Sequence, residues 1–125
     1  MQGKGDKQEQ TKLVLEKQVE ASLWIQFFAL LSEAIAVTKL YELEVQRPGS
    51  QDIVTGIWIQ VIGQLIEAIG VTQQSLAKDN KTVLSGQRTA INGDWLQSMG
   101  AAVEATGGER FIRDEIARDS EGFIP

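Results

Sequence analysis

Apolar residues in the middle of this chain recur with the period of a helix. Counting about 100° per residue from Trp58, Ile62, Leu65 and Ile69 fall within about 60° of it. Ile59, Gly63, Ile66 and Gly70 form an adjoining stripe. Gln60 and Glu67 sit near the opposite side, at about 200° and 180° on the same count. A strand reading fails, because Ile57, Trp58 and Ile59 are consecutive and no period of two survives. The result is an amphipathic helix with a wide apolar arc and a narrow polar stripe.

The pattern occurs three times without gaps. Trp24, Trp58 and Trp95 are each followed by an apolar residue, then by Gln26, Gln60 and Gln97, and seven places later by Glu33, Glu67 and Glu104, each with an Ala after it. The chain has no other tryptophan. The reading is three degenerate copies of one helical motif. Gly56, Gly63 and Gly70 are seven apart, as are Gly86, Gly93, Gly100 and Gly107. The first copy has Ser22, Ala29 and Ala36 at those places. Glycine inside a helix costs roughly 1 kcal/mol relative to alanine, so a heptad series of them predicts a seam where two backbones approach closely. Gly56, Gly63, Gly70 and Gly100 are the seam candidates, and the three tryptophans are the packing anchors, each indole N–H needing a partner.

Breakers set the layout. Helix 1 is expected from Thr11 to about Gln46, stopped by Pro48. Ser50 is expected to cap helix 2, with Asp52 in its first turn, and helix 2 runs to about Ala77. After a turn at Lys78–Lys81, helix 3 covers Thr82 to Thr106, where Asn92–Gly93 reads equally as a break. Gly107–Gly108 ends it, and Glu109–Asp119 forms a short fourth helix. The expected fold class is therefore all-α, an up-down-up bundle of three long helices plus a short C-terminal one. Its domain spans residues 11–119, between disordered tails at 1–10 and 120–125.

Composition narrows the chemistry. The chain has 125 residues, no Cys and no His, which removes thiol chemistry, the commonest general base and the commonest transition-metal ligand. A net charge of −5 with scattered Lys and Arg speaks against nucleic acid and anionic lipid as partners. The N-terminal stretch lacks the apolar core of a signal peptide. Glu33, Glu67 and Glu104 could in principle hold a hard cation, but a polar stripe of Gln and Glu reads first as a solvated face or as interhelical hydrogen bonding. No serine has a base beside it, and no glycine-rich loop precedes a Lys-Ser or Lys-Thr pair. The expectation is no catalytic residue, no cofactor and no metal.

The run Trp58-Ile-Gln-Val-Ile-Gly-Gln-Leu-Ile-Glu-Ala-Ile-Gly70 resembles the motif of a family of small, repetitive, uncharacterised proteins from spore-forming Gram-positive bacteria. Trp95 to Gly107 is similar more loosely. Trp24 to Ala36 departs most, with Phe28, Ala29 and Ala36 at apolar or glycine places of the motif. The resemblance covers about a third of the chain and implies no activity, because that family has none assigned.

The functional expectation is a cytoplasmic, non-enzymatic helical interaction protein that self-associates, a homodimer being the default symmetry. Helices with such wide apolar arcs carry more apolar surface than one small bundle can cover. The alternative is a membrane-active or membrane-embedded protein, since Ile53 to Val71 carries the single charge of Glu67. Its interruption by Gln60, Gln64 and Glu67 counts against that. A small-molecule ligand is not specified.

Overall fold

The computed structural model describes residues 2 to 122, in three helices: α1 (Gln2–Leu43), α2 (Ser50–Leu76) and α3 (Asn80–Gly122). They run up, down and up. Helix α2 is central, packing against α3 on one side and α1 on the other, while the backbones of α1 and α3 make no contact with each other among the described residues. The architecture is thus an open helical bundle, close to a single layer of three helices.

Glycine spacing explains the α2–α3 pairing. Gly49, Gly56, Gly63 and Gly70 face Gly107, Gly100, Gly93 and Gly86 respectively, so seven residues forward on α2 are matched by seven back on α3. A Cβ on Gly56 would lie 2.6 Å from the carbonyl oxygen of Gly100, and one on Gly100 would lie 2.7 Å from that of Gly56. The contacts are reciprocal and to backbone, so any side chain would force the helices apart. Each glycine's missing Cβ is replaced by a hydrogen directed at a carbonyl oxygen, the arrangement of a weak Cα–H···O contact. Backbone intimacy at four successive seam positions offsets the low helix propensity of glycine.

On its other side α2 buries Ile57, Val61 and Ala68 beneath α1, where Ala34 is 1 % exposed and Phe27, Leu30, Leu31 and Val37 pack around it. Buried Gln64 donates to the carbonyl oxygen of Leu23 at 3.0 Å. Trp24 Nε1 donates to Thr72 Oγ1 at 2.9 Å and Trp58 Nε1 to Thr38 Oγ1 at 2.8 Å, so both indoles pin α1 to α2.

Several boundaries differ from those the sequence predicts. Helix α1 starts at Gln2 where a tail to residue 10 is expected, and residues 3 to 19 are exposed along it. Lys, Glu and Gln in that stretch are good helix formers and outweigh Gly3 and Gly5. At its other end α1 stops at Leu43, short of Gln46. Ser50 does not cap α2. Gly49 takes that place in the left-handed region at φ 88°, and the Ser50 hydroxyl accepts from the Arg47 N–H instead. A Cβ on Gly49 would run into the Gly107 carbonyl, so position 49 needs glycine for both reasons. Helix α3 runs unbroken through Asn92–Gly93 and through Gly107–Gly108, and the expected short fourth helix is its continuation. Gly107 is a seam residue, which is why it does not end the helix. Glu121 and Gly122 are helical, and the rest of the expected C-terminal tail, residues 123–125, lies outside the described residues.

Candidate functional site

The repeated Gln and Glu residues flank the glycine seam. Gln60 Nε2 donates to Glu104 Oε1 at 2.7 Å, and Gln97 Nε2 to Glu67 Oε1 at 3.2 Å. Each glutamine also reaches the carbonyl of the glycine four residues before it, Gly56 and Gly93. The two bridges are related by the same exchange of helices as the glycine pairs. An amide donor on each helix meets a carboxylate acceptor on the other, so the α2 and α3 segments are mutually complementary in antiparallel register.

Asp94 lies beside the second bridge. The Glu67 pKa is raised from 4.5 to about 7, first by burial and then by hydrogen bonding and like charge from the neighbouring Asp94, while the Gln97 amide acts the other way. At neutral pH Glu67 is therefore partly protonated. Among the described residues no three acidic side chains converge on a metal site. Glu104 lies farther along the seam and Glu33 is exposed on α1, so the three repeated glutamates do not meet.

The remaining candidates divide by helix. Trp95 is not an anchor: it is 67 % exposed, on the side of α3 away from α2. Its counterparts Trp24 and Trp58 reach threonines because α1 and α2 face each other, and α3 has no third helix on that side. Gln26 and Glu33, at the same motif places in α1, are exposed.

Two faces of the layer follow from the helical period. Starting at the seam residue Gly63 and advancing about 100° per residue, Glu67 and Gln60 come first, then the residues under α1, then Ile69, Ile62, Ile66 and Ile59. The polar bridges and the isoleucines thus lie on opposite sides of the layer. Helix exchange across the seam puts Leu96, Met99 and Val103 of α3 beside those isoleucines. Ile25, Phe28 and Ile35 of α1 occupy the matching arc. Ile25, Phe28, Ile62 and Met99 are each at least half exposed. The middle of that face therefore carries exposed apolar side chains from all three helices, with Ser32, Lys39, Asn92 and Arg110 in the same arc.

Sequence reasoning missed Arg47. Its guanidinium pairs with Asp114 and Glu115 and lies 5.0 Å from the Phe111 ring, fastening the α1–α2 loop to the far half of α3. Nearby, Val37, Tyr41, Ile53, Val54 and Phe111 line a depression of about 210 Å³. An arginine beside a proline carries no periodic signal, so only coordinates reveal its partners. Compared with known proteins, the chain matches no family model, no curated protein and no solved structure.

Proposed function

We propose that this chain is a non-enzymatic, self-associating helical protein of the cytosol, built from three copies of one pairing motif and similar in that motif to the repetitive proteins of spore-forming bacteria. The observation that carries the reading is the apolar face. Ile25, Phe28 and Ile35 on α1, Ile62 and Ile69 on α2 and Met99 on α3 are all between 42 % and 69 % exposed. Burying that face against a second copy recovers roughly 25 cal/mol for each Å² of apolar area removed from water. Face-to-face closure by a twofold leaves the Gln–Glu side outward, toward water.

Sedimentation velocity of the full chain at micromolar concentration tests this. A mass of two or more chains is expected, and Ile62→Gln with Ile69→Gln should shift it toward the monomer. A monomeric wild-type chain would overturn the reading.

A second reading has its own observation. Helices α1 and α2 are both long and apolar enough to cross a membrane, and little of the α1 window is buried within the structure. Flotation with zwitterionic liposomes separates the two readings. Protein that floats favours membrane association, and protein left at the bottom of the gradient as a soluble oligomer favours self-association.

A further inference from the structure

Three motif copies cannot all pair within one chain. The second and third satisfy each other across the α2–α3 seam: Gly56 lies on Gly100, Gly63 on Gly93, Gln60 on Glu104 and Gln97 on Glu67. The first copy sits on α1 with its pairing side unused. Ser22, Ala29 and Ala36 stand where the glycines stand, and Gln26 and Glu33 stand where the bridging amide and carboxylate stand. Helix α1 meets α2 through Ala34, Phe27, Leu30 and Leu31, which lie on the opposite side of the helix. Ala29, Ala36, Gln26 and Glu33 are exposed and Ser22 half-buried.

We infer that this outer edge of α1 pairs antiparallel with the same edge of α1 in a second copy, in the register of the α2–α3 seam. The inference rests on the self-association reading and adds to it a specific surface and partner. The motif is self-complementary, because each copy carries one amide donor and one carboxylate acceptor seven residues apart. Two identical copies related by a twofold therefore form both bridges, Gln26 to the Glu33 of the other chain and the reverse, as α2 and α3 form theirs. Small side chains at positions 22 and 29 let the helices approach closely at the centre of the joint, though less so than glycines do, while Ala36 meets Leu15 of the other chain. The edge is continuous with the layer, so the pair extends three helices to six, in the order α3, α2, α1, α1, α2, α3. Ile25 and its twofold mate then lie beside the joint on the apolar face.

The register predicts which residues meet. Transferring the Gly56–Gly100 pair onto two first copies sets Ser22 opposite Ala29 of the other chain. The chain has no cysteine, so single Ser22→Cys and Ala29→Cys chains can be mixed under mild oxidation and their disulfides counted by mass spectrometry. The mixed disulfide should exceed either homodisulfide several-fold. An excess of homodisulfides indicates a parallel or shifted pairing and overturns the inference. Statistical amounts of all three from a chain that still sediments as an oligomer overturn it too, and leave self-association through the apolar face standing. A monomer under every condition removes both.

A second variant avoids cysteine. Gln26→Lys sets an ammonium against the Glu33 carboxylate of the partner and should tighten association several-fold at low salt, with the gain abolished by adding Glu33→Gln. No change in affinity from Gln26→Lys argues against contact between these positions.

Discussion

Glu67 is the residue at which chemistry and packing meet most closely. Its carboxyl lies beside Asp94 and accepts from Gln97, and its pKa stands at about 7 against 4.5 in the open chain. The folded state therefore holds a proton that the unfolded state has lost between these values. The contribution of this group to stability is greatest below about pH 4.5, falls as pH rises to about 7, and is level above that. Glu67→Gln keeps an oxygen for Gln97 and removes the titration. The variant should melt higher than wild type at pH 8, and the difference should shrink toward pH 5 when thermal unfolding is followed by circular dichroism. The tryptophans give a second test at this scale. Trp58→Phe removes the indole hydrogen bond to Thr38 and should cost about 1 kcal/mol from that bond besides lost packing. Trp95→Phe, at an exposed site, should stay within about 0.5 kcal/mol of wild type. Urea titration of the two variants measures the contrast.

At the scale of the element, the decisive comparison is between α2 and α3, whose tryptophans Trp58 and Trp95 lie 37 residues apart. Their seam positions are alike, so they pair. The side that α2 turns to α1 carries Ile57 and Val61, and the corresponding places on α3 hold Asp94 and Ser98, both exposed. That divergence gives α1 one apolar docking side and denies it the other. The seam was legible in the glycine spacing, and its polar rim was legible too. Counted from Trp58, Gly63 falls at about 140° and Glu67 at about 180°, so the Gln–Glu stripe borders the glycines. Burial at the seam decided for hydrogen bonding between helices over a solvated face. Gly63→Leu places a branched side chain against the backbone at Gln97 and Gly93, where even a Cβ would stand 2.8 Å from atoms of both. It should destabilise by more than the usual overpacking cost of about 1–3 kcal/mol. Gly108→Leu, with open space around it, should not, and its higher helix propensity should raise the melting temperature slightly.

Across the whole molecule, the open layer accounts for the exposure of so many large apolar side chains. A closed bundle turns every apolar arc inward. Here α1 and α3 lie on nearly opposite sides of α2, and each keeps its outer arc exposed. Arg47 ties the α1–α2 loop to the distal half of α3 through Asp114, Glu115 and Phe111, beyond the Gly49–Gly107 contact. Arg47→Ala leaves Asp114 without its cross-layer partner and uncovers Phe111. Hydrogen exchange should then accelerate in residues 109–119 while the seam around Gly63 and Gly93 keeps its protection. Uniform acceleration along α3 would show instead that the layer unfolds as one unit.

What the sequence determined alone is the helical period, the helix order and the heptad seam, because these depend on residue spacing within single helices. Breakers were read less well. Asn92–Gly93 and Gly107–Gly108 look like ends in one dimension, yet Gly93 and Gly107 are contact points in three. Only the tertiary structure decided that. It also decided that Trp95 faces outward, that Gly49 rather than Ser50 caps α2, and that Gln26, Ala29, Glu33 and Ala36 of α1 stay exposed. The physical reason is common to all of these. Spacing fixes which residues share a side of a helix, but only the partner helix decides whether that side is an interface or a surface.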